Sequence, residues 1–317
     1  MQNNMKGIGA IILGSICFSV NDISIKIFSS EYALHQLMFF RALFAIVILI
    51  VAILPLYGGL NYLSTKNPLF HIFRGMTVVG ANTFFFISIA KLSIAEATAI
   101  FFIAPILITI LAYIFLNEKV GVRRGIACVL GFIGMIFVVK PGTISFELVS
   151  IFPLIAALFY SVLHIVTRKY GAAEKPITMG FYIQVCFFIS SVIFGIFFSY
   201  FEPSYSGNNM FDFLLRPWTS PGPLDLAHIF FGIAIPISIG GILVSYAYKN
   251  HEASLLAPFE YVALVVAVAS TYLIWNELPD PYSFFGILLI MLSGVFVSLR
   301  EKEVSNLRTS SKIITRR

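Results

Sequence analysis

Ionisable side chains standing inside long apolar runs are where this sequence can do chemistry. Asp22 and Lys26 lie four residues apart in the first run, Arg41 lies in the second, His164 in the sixth, and Glu260 follows Pro258 in the ninth. An ionised group at mid-membrane costs about 2.5–3.5 kcal/mol on insertion scales, so each exception needs a compensating role. At that spacing Asp22 and Lys26 share a helix face and can pair, either as a substrate or proton site or as a helix-packing contact. Arg41 is read in two ways: an anchor for an anion or carboxylate at the outer mouth, or an arginine snorkelling to the interface. Pro258 loosens the backbone beside Glu260, whose carboxylate can take a proton or cation there, or partner a neighbouring helix. Asn82, Tyr246 and Tyr261 join these as polar candidates, and Phe18 and Phe85 flank polar positions where a planar cargo could stack.

Other chemistry is missing from the sequence. There is no phosphate-cradling glycine loop, no HExxH, no GxSxG and no Cys/His cluster, so neither ATP-driven pumping nor a cofactor or metal is expected. Cys17, Cys128 and Cys186 all stand inside apolar runs, without metal-type or disulfide spacing. An integral-membrane lipid-modifying enzyme or assembly factor is the alternative class. It would need a polar catalytic motif at one face, which the sequence lacks.

The elements that must position these residues follow from composition. Apolar residues make up 59% of the 317-residue chain and charged residues 11%, against roughly 45–50% and 25% in soluble domains. Mean hydropathy is +0.93, so lipid is the expected solvent. About 20 residues of helix cross the hydrocarbon layer, which places ten spans near 7–27, 35–56, 70–90, 95–116, 122–140, 149–167, 178–200, 227–248, 254–275 and 282–299. The runs are continuous rather than alternating, which excludes barrel strands. Met1 to Lys6 is short and polar and the run after it contains Asp22, so the first span is expected to be a membrane helix and not a cleaved leader.

With the N-terminus inside, Lys66, Arg74, Lys119, Arg123, Arg124, Arg168, Lys169, Lys175, Lys249 and the tail fall on one side. Only Lys26, Arg41, Lys91, Lys140 and Arg216 fall on the other. The bias predicts that both termini are cytoplasmic. The net charge of +6 resides in these loops and the tail and does not point to nucleic acid.

The second five spans repeat the first five. Phe18-Ser19-Val20-Asn21-Asp22 through Lys26 answers to Tyr160-Ser161-Val162-Leu163-His164 through Arg168, and Asn117-Glu118 answers to Asn276-Glu277. Five is odd, so the duplicated half must be inverted, with the substrate site between the repeats. The alignment sets Asp22 opposite His164, both near the centre, and Arg41 opposite Gln184. Glu118 and Glu277 close their spans and are expected to shape the following turn. Gly131, Gly134, Gly286 and Gly294 suit close helix packing. The repeats are bounded at 7–142 and 149–300, with a basic tail at 301–317 that can touch anionic headgroups. The longest connection, 200–226, reads as a solvated loop, with a lid over the outer mouth as the lesser possibility.

Phe39-Phe40-Arg41, Arg74-Gly75, Ala95-Glu96-Ala97-Thr98, Pro105 through Glu118, Arg123-Arg124-Gly125 and Ala257-Pro258-Phe259-Glu260-Tyr261 through Glu277 carry a family resemblance. The chain resembles the drug/metabolite transporter superfamily in its ten-span form with two EamA-type repeats. The resemblance implies an all-α integral membrane protein of the bacterial inner membrane, a carrier and not an enzyme. In such folds spans 1–4 and 6–9 surround a cavity, which places Asp22, Asn82, His164 and Glu260 beside it. Asn21-Asp22 with Lys26, and the Pro-Phe-Glu-Tyr segment, are similar to S-adenosylmethionine uptake carriers, which tend to have an arginine in place of Phe259 or Glu260. Riboflavin, amino-acid and drug carriers share the scaffold. Its partners are therefore expected to be a small-molecule substrate, a coupling proton or cation, and membrane lipids.

Overall fold

The computed structural model describes residues 2–116, 122–140, 147–171, 174–201, 211–250 and 259–293. Asn117, Glu118, Pro258, Gly294, residues 202–210 of the long connection and the 301–317 tail lie outside the described residues. Everything described is helix, turn or coil. The helices are α1 (Gln2–Phe28), α2 (Leu34–Ile48), α3 (Pro68–Ile89), α4 (Ile94–Phe101), α5 (Ala104–Leu116), α6 (Val122–Val139) and α7 (Ile151–Tyr170). They continue with α8 (Pro176–Phe201), α9 (Asp212–Leu215), α10 (Pro223–His228), α11 (Ile235–Asn250), α12 (Val262–Trp275) and α13 (Pro281–Ser293). Among the described residues, seven helical stretches are long and apolar enough to cross a membrane, and three shorter apolar helices accompany them, at Val129–Val139, Val262–Trp275 and Pro281–Ser293.

Local chemistry explains where these helices start, bend and stop. Pro68 and Pro176 open α3 and α8, where a missing N–H costs nothing. Ser93 and Glu96 form a capping box at the start of α4, the Ser93 hydroxyl accepting from the Glu96 N–H at 3.1 Å. Two prolines inside spans are accommodated by widened turns. The chain makes π turns at Leu49–Ile53 and Ile229–Ala234, each ending two residues before a proline, Pro55 and Pro236. The wider turn relieves the clash between the proline ring and the carbonyl four residues back. Around Pro105 the outcome is different. The fourth span breaks at Phe102–Ile103 into α4 and α5, so it is a discontinuous helix and not one tolerating a lone proline.

At the end of α12, Asn276 adopts the left-handed conformation (φ 56°). Its N–H donates to the Tyr272 carbonyl at 2.9 Å and that of Glu277 to Thr271 at 3.3 Å. The Asn-Glu pair thus turns the chain out of the helix, as a capping motif does. Close packing by glycine is seen between α6 and α13. A Cβ at Gly134 would stand 2.8 Å from the Gly286 carbonyl, and one at Gly286 would stand 2.5 Å from that of Gly134.

The core lies where first-half helices pack on second-half helices. The main pairings are α1 with α11, α3 with α7, α2 with α8, α3 with α8, α5 with α7, and α12 with both α4 and α1. The described part of the 200–226 connection is docked and not simply solvated. Phe213 is buried, the Gln36 amide donates to the Thr219 carbonyl and accepts from its N–H at 3.1 Å, and Arg216 donates to the Ser29 carbonyl at 3.1 Å. Trp218 packs its ring against Phe39 at 5.2 Å and His35 at 5.9 Å, which gives the segment an apolar reason to lie down.

Candidate substrate-binding site

Two polar groups stand between the halves, joined by a chain of aromatic rings. The first is built on α1, α2 and α8. Asp22 is half-buried and accepts from the Asn21 side-chain amide at 2.9 Å, while the Asn21 amide oxygen has no partner among the described residues. Arg41 is 1% exposed, so it points inward and does not snorkel. Its guanidinium carbon lies 4.3 Å from the Phe187 ring centroid and 6.0 Å from that of Phe86. Nε and Nη1 of Arg41 find no acceptor among the described residues. Asp22 and Arg41 act on each other electrostatically. Gln184, the repeat counterpart of Arg41, is buried three residues from Phe187 on α8, and its amide oxygen is also unpartnered.

The second group surrounds the break in the fourth span. Tyr261 is buried and stacks on Phe102 at 4.8 Å, so the broken turn of span four meets the start of α12. Glu260 beside it is half-buried and acts electrostatically on Tyr160. The Tyr160 ring meets His164 edge-on at 4.4 Å, and the buried Nε2 of His164 has no hydrogen-bond partner among the described residues. Rings bridge the two groups: Phe86 to Phe85 at 5.8 Å, Phe85 to Phe101 at 5.4 Å, and Phe101 to Tyr160 at 5.2 Å. Asn82 is half-buried on α3, three and four residues before Phe85 and Phe86, so it shares their face.

Two candidates stand apart. Lys26 does not pair with Asp22 although the spacing allows it. Its ammonium donates to the Ile89 carbonyl at 3.0 Å and to the Leu92 carbonyl at 2.5 Å, and lies 5.2 Å from the Trp275 ring centroid. The Ile89 carbonyl sits at the C-terminal end of α3, whose partial negative charge favours a cation, and the Leu92 carbonyl lies in the turn just after it; together they outweigh the helix-face pair. Tyr246 is 41% exposed on α11, outside both groups. Asp22 and His164, the repeat-related pair, have separate arginine neighbours: Arg41 acts electrostatically on Asp22, and Arg74 on His164.

Polar braces tie the halves together at each face. On the side of the α2–α3 connection, Arg74 Nε donates to Thr167 Oγ1 at 2.9 Å and Nη1 to the Met179 carbonyl at 3.0 Å. Thr65 donates to Glu174 at 3.0 Å, and His71 lies 3.2 Å from the other Glu174 oxygen. At the opposite face Tyr32 donates to Asp225 at 2.6 Å, and burial together with that carboxylate pushes the phenol up to about 12. Tyr160, Phe187 and this His71–Glu174 pair escape single-residue reading. Only the i, i+4 relation of Tyr160 to His164 and the i, i+3 relation of Gln184 to Phe187 hinted at the first two.

The chain is similar to known proteins over most of its length. A protein described as an S-adenosylmethionine uptake transporter, from Rickettsia conorii (strain ATCC VR-613 / Malish 7), is 27% identical over 98% of this chain and 99% of its own. A riboflavin transporter of Vibrio cholerae serotype O1 (strain ATCC 39315 / El Tor Inaba N16961) is 24% identical over 83% of this chain and 84% of its own. A solved crystal structure shares the fold with a TM-score of 0.61 at 18% identity, covering 94% of this chain and 98% of the other. The model of the EamA-like transporter family matches residues 5–140 and again 148–299, and the chain, a multi-pass membrane protein, belongs to that transporter family.

Proposed function

We propose that the protein is a secondary carrier working by alternating access, and that it takes up S-adenosylmethionine or a metabolite of similar build. The observation that carries this reading is the likeness, over nearly the full length of both chains, to a relative named for uptake of that compound. The proposed architecture is ten spans in two inverted five-helix repeats, 7–142 and 149–300, with both termini on the cytoplasmic side of a bacterial inner membrane. The contact pattern supports the duplication. Exchanging the halves turns the α1–α11 pairing into α7–α3, α5–α7 into α12–α1 and α3–α8 into α11–α2, while α2–α8 maps onto itself. All of these pairings occur.

Asp22, Arg41, Asn82, His164, Glu260 and Tyr261 serve in this reading as substrate-binding or ion-coupling groups, with Lys26 holding the end of α3 beside them. Asp22 and Glu260 are the proton or cation acceptors. The braces at the two faces join one half to the other, so opening either face requires breaking one set while the second holds, which is the requirement of alternating access. Purified protein in liposomes, offered labelled S-adenosylmethionine, riboflavin and amino acids, tests the reading. Saturable accumulation of S-adenosylmethionine is expected. Accumulation of riboflavin in its place would reassign the cargo, and turnover of lipid in place of any uptake would sink the carrier reading.

A further inference from the structure

We infer that Arg41 receives the carboxylate of an amino-acid-bearing cargo, and that the Asp22 side receives the same cargo's ammonium group. This rests on the carrier reading above and names the chemical class of molecule that the carrier selects. An arginine stays ionised throughout the physiological range, so the buried guanidinium cannot shed its charge to escape the cost of burial. Two of its nitrogens nevertheless lack acceptors. A buried donor left unmade is costly, and a fold that keeps one needs a reason such as a ligand.

The surroundings specify which ligand. Phe187 and Phe86 lie close to the guanidinium, and aromatic contact of this kind engages its face while its N–H groups point outward along the edges. Those edges match a carboxylate bidentately. A cleft lined by His35, Met38, Thr83, Phe187, Ser190 and Ser191 adjoins it through Phe187, which contacts Arg41, and Met38 is one helical turn before Arg41. Two unpartnered side-chain oxygens, one beside Asp22 on α1 and one near Phe187 on α8, have the opposite character. Asn21 Oδ1 and Gln184 Oε1 are acceptors, suited to the protons of an ammonium group.

Charge balance narrows the class further. Arg41 and Asp22 already offset each other, and a zwitterionic head leaves that balance intact in a poorly solvated site. A phosphate would bring excess negative charge, and the nearest free-standing cation in sequence, Lys26, has its ammonium engaged by carbonyls. A cargo without a carboxylate would leave Arg41 unmatched.

Counterflow in proteoliposomes with a matched pair, S-adenosylmethionine and its decarboxylated analogue, tests this with riboflavin as the third probe. Wild-type protein should prefer the carboxylate-bearing compound by about thirtyfold or more, the scale of losing one member of a buried charge-assisted pair. Arg41→Gln should erase that preference by lowering S-adenosylmethionine uptake alone, and Arg41→Lys should restore part of it. Equal uptake of the pair by wild-type protein, a preference that survives Arg41→Gln, or an equal loss of both compounds overturns the carboxylate site while the carrier reading stands. Uptake of riboflavin and of neither member of the pair overturns both. The wild-type comparison needs no variant to fold, so it decides the matter even if Arg41→Gln fails to reach the membrane.

Discussion

Arg41 and Arg74 are both arginines of membrane-crossing helices in the first half, and the same two nitrogens behave differently in each. In Arg74, Nε and Nη1 donate to Thr167 Oγ1 and to the Met179 carbonyl, stitching α3 to α7 and α8. In Arg41, Nε and Nη1 have no acceptor at 1% exposure. A satisfied buried cation is a brace, because its hydrogen bonds are complete in the resting fold. An unsatisfied one is held ready for something that arrives. Residue type is alike in the two cases, although Arg41 is buried and Arg74 half-buried, so hydrogen-bond accounting is what separates scaffold from site.

The sharpest way to break this comparison is at Asp22. Asp22→Asn keeps the side-chain size and a partner for Asn21 but removes the counter-charge of Arg41 and of the cargo's ammonium. Uptake into liposomes should fall by about a hundredfold, in line with the loss of a buried charge partner. The amount of protein in the membrane and its elution profile should stay unchanged. If this variant instead loses stability with uptake intact, Asp22 is a brace like Arg74 and the division collapses.

How much of this was legible in the residues varies with the range of the interaction that decides it. The apolar runs and their duplication declare themselves because hydropathy is a local sum. The inward turn of Arg41 does not, since snorkelling and burial differ only in helix rotation, and that is set by packing of α2 on α8. Lys26 shows the same limit. An i, i+4 carboxylate was its evident partner, yet carbonyls 63 and 66 residues away capture it. Pro105 marks a weak point in the fourth span, but whether the helix bends, widens or breaks there depends on neighbours such as Tyr261, which stacks on the broken turn.

A second test sharpens the comparison from the side of the brace. Arg74→Gln gives up two hydrogen bonds from a charged donor, and should cost about 2 kcal/mol of stability. The thermal unfolding midpoint should drop by several degrees while the concentration of cargo giving half-maximal uptake stays near the wild-type value. A selective change in cargo affinity at unchanged stability would make Arg74 a binding group and remove the contrast with Arg41.

The smallest effect is expected at the outer ion pair, where both partners are satisfied and one is exposed. Lys140, at the end of α6, bonds to Asp280 in the turn before α13, and Asp280 also accepts from Ser283 N–H at 3.2 Å and Oγ at 2.9 Å. Burial works against the ionised carboxylate, but the Lys140 and Ser283 hydrogen bonds and the Lys140 charge outweigh it and bring the carboxyl down to about 2. Its unfolded-state value is near the ordinary 3.9 or so, so the folded protein holds this proton less tightly. The stabilisation is therefore complete above about pH 4 and is lost as pH falls from there toward 2. With the Asp280 side chain 39% exposed, solvent screening keeps the pair to under about 1 kcal/mol. Asp280→Asn should lower the unfolding midpoint by a degree or two, equally at pH 5 and pH 8, and leave uptake unchanged. The gap to wild type should close only in acid, below about pH 4, where the wild-type carboxylate begins to lose its charge. A gap that changes between pH 5 and 8 would mean that a different group titrates against Lys140. Asp280 would then owe its position to its hydrogen bonds from Tyr282 and Ser283.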